Sequence, residues 1–172
     1  GDVPEDEWFA GAVQNAAEMA IIFGYGNNRF GPNDTTTNQQ TVTMLMRTVG
    51  YNAEYDSVLQ TAADRGIGAS LGLNDNDYTS RATTAVLIKD ILASIHVDVD
   101  LTESEIAGLL APFNDLDGLS DEQMLSFAVA VKYGILKGTY VGEDYSLMGP
   151  DILLTRAQIS MIAIRLVEFI TK

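Results

Sequence analysis

The sequence predicts an all-α fold assembled from three related helix-loop-helix units. Three observations carry that expectation. A short string recurs as Thr37-Asn38-Gln39-Gln40, Ser80-Arg81-Ala82-Thr83 and Thr155-Arg156-Ala157-Gln158, and each copy opens a helical apolar pattern. A second helical pattern precedes each string, across a connection containing glycine. No segment shows sustained period-2 alternation, so little β structure is expected. Recurrence at the scale of a helix pair marks one supersecondary module used several times.

The first unit spans 1–51. Its first helix is expected from about Glu7 to Phe23, capped by Asp6, with Phe9, Ala12, Val13, Ala16 and Ala20 on the apolar face. The connection runs from Gly24 to Pro32. Thr37 then caps a second helix and Gln40 closes a capping box. Val42, Leu45, Met46 and Val49 form its stripe. The second unit, 52–96, begins with a shorter helix over about Ser57–Arg65, bearing Val58, Leu59, Ala62 and Ala63. Its connection from Gly66 to Tyr78 has no proline. Ser80 caps the next helix, with Thr83 in place of Glu or Gln and a stripe of Ile88, Ile91, Leu92 and Ile95. His96 closes that pattern and reads as a helix-end residue.

The stretch 97–112 is an insertion. Thr102 and Glu105 make a capping box before Ile106, Leu109 and Leu110, which predicts a short helix. The third unit spans 113–172. Ser120 and Gln123 box its first helix, followed by Met124, Phe127, Ala128 and Val131. The connection Gly134–Gly138 continues in a longer excursion to Gly149-Pro150. Thr155 and Gln158 start the last helix, whose stripe is Ile159, Ile162, Ala163 and Leu166. Pro32 and Pro150 both stand five residues before the capping threonine. Gly-Pro marks a turn that cannot continue a helix.

Composition narrows the function. Twenty-four acids against ten bases give a formal net charge of -14. That opposes binding to nucleic-acid backbones, which needs surplus Lys and Arg, and to anionic lipid surfaces. The absence of cysteine removes disulfides, thiolate metal sites and cysteine nucleophiles. No apolar run approaches a membrane helix, so no membrane insertion is expected. No signal-peptide pattern is present, and the expectation is a piece of a longer chain. With one histidine, and no nucleophile elbow, P-loop or zinc motif, an enzyme is not expected. Asp75 and Asp77, and the run 114–118, are oxygen-rich enough to suggest calcium. They lack the EF-hand spacing, and turn chemistry is the better reading. No metal or cofactor is therefore expected.

The residues resemble the S-layer homology repeat of bacterial surface proteins. The first unit carries the resemblance in Asp2-Val3, Trp8, Ile21, Gly24-Tyr25, Phe30 and Pro32. The third carries it in Phe113, Asp115, Gly134-Ile135, Gly138, Pro150 and Leu154-Thr155-Arg156-Ala157-Gln158. The second keeps Gly66-Ile67 and Ser80-Arg81-Ala82. The resemblance implies one pseudo-threefold domain around a central three-helix bundle. It further implies grooves between repeats that bind the secondary cell-wall polymer, often through a pyruvylated amino sugar. The expectation is therefore a non-catalytic, extracellular anchor on the bacterial cell wall. A degenerate architectural module, contacting other surface-layer proteins, is the alternative.

Candidate ligand-binding residues are Arg81, Arg156, Asp2, Trp8, Gly24, Asn38, Asp115 and Gly138. Arg81 and Arg156 occupy the first helical position after a cap, where the helix dipole disfavours a cation. Free backbone N–H groups plus a guanidinium would make a compact anion site. The structural alternative is a salt bridge to an acid on a neighbouring unit. Trp8 could offer a sugar an apolar face, or anchor the core. Asp2 could accept from sugar hydroxyls, or orient a groove arginine. Gly24 and Gly138 could admit a sugar to the backbone, or serve as turn residues. Asn38 stands where the family has arginine, and no unit holds a complete aromatic-acid-arginine set. One or two competent grooves in place of three, or a changed ligand, are expected.

Overall fold

The computed structural model describes residues 1–141 and 144–172. The fold is all-α. Its helices are α1 (Ala10–Glu18), α2 (Asn38–Thr48), α3 (Val58–Ala63), α4 (Arg81–Ser94), α5 (Glu103–Leu110), α6 (Asp121–Lys132) and α7 (Arg156–Ile170). A 3-10 turn, Tyr55–Ser57, leads into α3. Isolated β-bridges join Thr35 to Thr155, Thr37 to Tyr78 and Ser80 to Leu153, and a strand pair lies in the long excursion before α7. There β1 (Thr139–Val141) and β2 (Asp144–Leu147) form an antiparallel pair, and the segment 142–143 joining them lies outside the described residues.

The capping reading holds at every expected second helix. Thr37 and Thr155 accept from the N–H of Gln40 and Gln158, and those glutamines reach back to the cap N–H. Ser80 caps α4 without the reciprocal glutamine. Ser120 and Thr102 form full boxes at α6 and α5.

The first helix is shorter than expected, and Asp6 does not cap it. Phe9 occupies the cap position with no side-chain hydrogen bond. The other end stops because Ala20 adopts φ +57, a left-handed conformation that cannot continue a helix. The chain then turns inward. Ile21 and Ile22 N–H groups both donate to the Ala16 carbonyl, and both side chains are buried. The same closure recurs at Ala62 with Ile67, and at Ala130 with Ile135 and Leu136. In those copies the left-handed residue is Gly66 and Gly134.

α2 packs against both α4 and α7. The preceding helices lie outside this group: α1 on α7, α3 on α2, and α6 on α4. At the centre the three capped strings exchange backbone hydrogen bonds in a closed cycle. Thr36 N–H donates to Leu154, Leu154 N–H to Thr79, and Thr79 N–H to Thr36, at 2.9–3.0 Å. All three residues are fully buried, so the cycle settles main-chain groups that would otherwise be costly to bury.

The same geometry disposes of the helix N-termini. The N–H groups of Arg81 and Ala82 donate to Ile152 and Pro150 carbonyls, and those of Arg156 and Ala157 to Asp34 and Pro32. Asn38 and Gln39 N–H groups donate to Asp77 and Asp75 carbonyls. Each of these helices thus spends its first free donors on the loop of a neighbouring helix pair. Pro32 and Pro150 are acceptor positions in this joint, and Asp75, five residues before Ser80, takes the same place in the second loop.

Candidate functional site

Arg81 and Arg156 leave their helices in the same way. The Arg156 Nε donates to the Phe30 carbonyl at 2.8 Å, and its Nη2 to the Phe23 carbonyl at 2.7 Å. The Arg81 Nε donates to the Met148 carbonyl at 2.7 Å, and its Nη2 to the Lys137 carbonyl at 2.8 Å. Each guanidinium therefore bridges both ends of a neighbouring loop. Both residues are buried, at 5% and 8% exposure. Their protein partners are carbonyls and, for Arg81, the Met148 sulfur as well, not the carboxylates of the expected salt bridge. The helix N–H groups beside them are also taken, so an anion would meet guanidinium edges and not free N-terminal amides.

The acids of the predicted set complete the clamp. The two oxygens of Asp2 accept from the N–H groups of Phe30 and Gly31, at 2.7 and 2.8 Å. Asp115 accepts from Met148 and Gly149 N–H groups, both at 2.7 Å. The residue whose carbonyl holds the arginine is thus held through its own N–H by the aspartate. These hydrogen bonds lower the Asp2 carboxyl below its usual pKa. Gly24 is where the first loop closes: a Cβ there would lie 2.7 Å from the Arg29 carbonyl oxygen.

Beside each buried arginine lies a surface cavity. The one at Arg156 measures about 210 Å³ and is bordered by Phe23, Gln40, Thr43, Met44, Arg47 and Tyr55. The one at Arg81 measures about 230 Å³ and is bordered by Trp8, Lys137, Gly138, Gln158 and Arg165, with Met161 and Ile162 from the same face of α7. Counted from the capping threonines, Gln40, Thr43, Met44 and Arg47 stand at the positions of Gln158, Met161, Ile162 and Arg165. Arg47 and Arg165 also share a bond, each Nη1 donating to the Ile21 or Ile135 carbonyl.

No acid borders either cavity among the described residues, in a chain of net charge -14. Burial pushes the guanidinium of Arg81 below its usual pKa, and the charge of Arg165 adds to this; Asp115 acts in the opposite sense. Burial lowers Arg165 and Arg47 as well. An anion placed beside such partly desolvated positive charge would stabilise it.

Of the predicted residues, Trp8, Arg81 and Gly138 come together at one groove, while Arg156 lines the other. Trp8 is 61% exposed, so it presents a free indole face and is not a core anchor. Asp2, Asp115 and Gly24 shape the loops that the arginines bridge. Asn38 differs from all of these. Its Nδ2 donates to the Asn74 carbonyl, its Oδ1 accepts from the Thr79 hydroxyl, and it is buried. Asp90 occupies the position of Arg47 and Arg165 there, accepting from Gly68 N–H. Glu122, eight residues before Ala130 as Trp8 is before Ala16, pairs with Lys89 and Ser70. The expected unevenness thus has a physical form: arginine, arginine and tryptophan at one joint become asparagine, aspartate and glutamate at another.

Sequence reading missed Arg47, Arg165, Lys137, Phe23 and Tyr55. Arg47 and Arg165 carried a signal, because each lies ten residues after its capping threonine. Lys137 and Phe23 carried none, since equivalent backbone positions hold unrelated side chains.

These features define a helical module clamped by buried arginines, with two cationic surface grooves. Residues 1–41 match the family model of the S-layer homology domain, which bears out the resemblance read from the sequence. The chain is 28% identical over 103 residues to the "Middle cell wall protein" of Brevibacillus brevis, covering 57% of this chain and 9% of that protein. It is also 28% identical over 90 residues to the "Cell surface protein" of Thermoanaerobacter kivui, covering 51% of this chain and 12% of that protein. The chain thus spans about a tenth of the length of these curated relatives, at 9% and 12%.

Proposed function

We propose that the chain is a three-unit S-layer homology module that anchors a larger protein to the bacterial cell wall. In this reading 1–51, 52–96 and 113–172 are the repeats of one pseudo-threefold domain, and 97–112 is an insertion. The closed backbone cycle of Thr36, Thr79 and Leu154 supports that arrangement. So does the order of packing, in which each unit's first helix lies on the second helix of another unit.

The observation that carries the functional reading is the pair of acid-free cavities at matching positions beside Arg81 and Arg156. Their ligand is an acidic cell-wall glycan, such as a secondary polymer bearing a pyruvylated amino sugar. A ketal-linked carboxylate would meet Arg165 and the free edge of Arg81 in one groove, or Arg47 and Arg156 in the other. Trp8 or Tyr55 would cover the apolar face of the ring. Binding is non-catalytic and places the module at the cell surface. The Asn38 joint takes no part, because its polar groups are satisfied internally. The printed names of the two relatives, a cell wall protein and a cell surface protein, fit this role.

An architectural role, with contacts to other surface-layer proteins, is favoured by one fact: the best donors of Arg81 and Arg156 already serve carbonyls. Co-sedimentation with protein-free cell walls separates the two, with and without acid extraction of the secondary polymer. Binding that disappears on extraction is the expected result. No binding to untreated walls would overturn anchoring, and binding that survives extraction would transfer recognition to peptidoglycan.

A further inference from the structure

The two grooves are not alike, and the difference bears on ligand length. The residue whose carbonyl accepts the arginine Nη2 is Phe23 in one and Lys137 in the other. At Phe23 the aromatic ring lies under Arg47, 4.8 Å from the guanidinium carbon. That stack occupies the rim of the Arg156 groove. At Lys137 the equivalent side chain is exposed.

Lys137, Met161 and Arg165 border the Arg81 cavity and also a second cavity of about 350 Å³ farther along α7. The far wall of that second space is aromatic. Tyr133 and Phe169 lie there with ring centroids 4.6 Å apart. Glu168 is beside them, and its charge acts on Arg165. The Arg81 groove is thus a run of two hollows: first a cationic one with an indole, then one offering aromatic surface, a carboxylate and a lysine at the join.

We propose that the Arg81 groove binds two consecutive sugars of an acidic glycan. This rests on the glycan-binding reading above and adds an extension subsite to it. The acidic sugar sits at Arg165 and Arg81 under Trp8. The next sugar lies against Tyr133 and Phe169, with Glu168 accepting from its hydroxyls. Lys137 stands between the two and donates to the oxygens around the linkage. Aromatic surface suits the apolar face of a pyranose, and the flanking polar groups suit its equatorial hydroxyls.

Calorimetric titration of the whole chain tests this with two probes: a pyruvylated amino-sugar monosaccharide, and a disaccharide that extends it by one neutral sugar. The disaccharide is expected to bind one site roughly tenfold more tightly than the monosaccharide, the ratio given by about one good polar contact. Glu168→Ala, at an exposed position that borders only the second hollow, should erase most of that ratio and leave monosaccharide affinity within about twofold. Phe169→Ala should do the same, with its folding checked by circular dichroism. Equal affinity of the parent for both probes would overturn the extension while leaving the single-sugar grooves in place. Equal weakening of both probes by Glu168→Ala would also overturn it, because the second hollow would then have no effect of its own. Failure of both probes to bind would overturn the glycan reading itself, and the extension with it.

Discussion

Arg156→Ala removes a side chain that ties the first loop to the last helix, and its cost can be worked from the contacts. Two hydrogen bonds to carbonyls are lost, at 2.8 and 2.7 Å. Stacking on Tyr25 and Phe30 is lost too, each ring centre lying about 4.5 Å from the guanidinium carbon. A charge-assisted hydrogen bond contributes about 1.5–3 kcal/mol, and cation–π contact at partly buried sites about 1 kcal/mol. The Phe23 carbonyl borders the groove and can recruit water, whereas the bond to Phe30 is buried. A loss of about 3–5 kcal/mol follows once that rehydration offsets part of the sum. Against a total stability of about 5–15 kcal/mol this is severe. For a chain of this size it corresponds to a fall in Tm of roughly 6–20 °C. Urea and thermal denaturation followed by circular dichroism would measure it. Arg156→Lys should recover only part, because one ammonium cannot span both carbonyls in the guanidinium geometry. A Tm within about 2 °C of the parent for Arg156→Ala would refute the clamp.

Other outcomes follow from the same contacts. Trp8→Ala should leave stability within about 0.5 kcal/mol, since the side chain is largely exposed, yet weaken wall binding severalfold in co-sedimentation. Ala20→Gly should raise stability by about 0.5–1 kcal/mol, because the left-handed conformation at φ +57 is strained for alanine and free for glycine; urea midpoints would register the shift. Asp2 has a lowered folded-state pKa, so its contribution to stability is full above the unfolded carboxylate pKa and lost as pH falls through the folded value. Asp2→Asn should therefore flatten part of the acid limb of a Tm-versus-pH curve below about pH 4, and an unchanged acid limb would count against the Asp2 clasp.

Much of the fold was legible because it is encoded locally. A capping box needs only residues three apart, and Thr37, Thr102, Ser120 and Thr155 all cap as their spacing implies. The end of α1 was not legible, because the left-handed turn falls on Ala20 in place of the glycine used at Gly66 and Gly134. Nothing in local propensity identifies an alanine that tertiary burial of Ile21 and Ile22 forces into that conformation. The β1–β2 pair was hidden likewise, since two short strands leave no usable alternation. At the site, the arginines were visible as cations at an electrostatically unfavourable helix position. Their task was not, because the acceptors are backbone carbonyls 56–133 residues away in sequence. Carbonyls carry no side-chain signature. The physical reason for Arg at this position is now plain: a planar fork can bridge two carbonyls of one loop, which neither Lys nor Asn can do. The groove itself is made by what remains around that fork, chiefly Arg47, Arg165, Lys137 and Trp8.

Trp8 is the single tryptophan of the chain, and it borders the Arg81 groove, so its emission reports on that groove alone. Titrating the protein with purified secondary cell-wall polymer should give a saturable change in tryptophan fluorescence, and polymer stripped of its acidic substituents should give none. Unaltered Trp8 emission at polymer concentrations that saturate co-sedimentation would contradict the assignment of glycan binding to this groove.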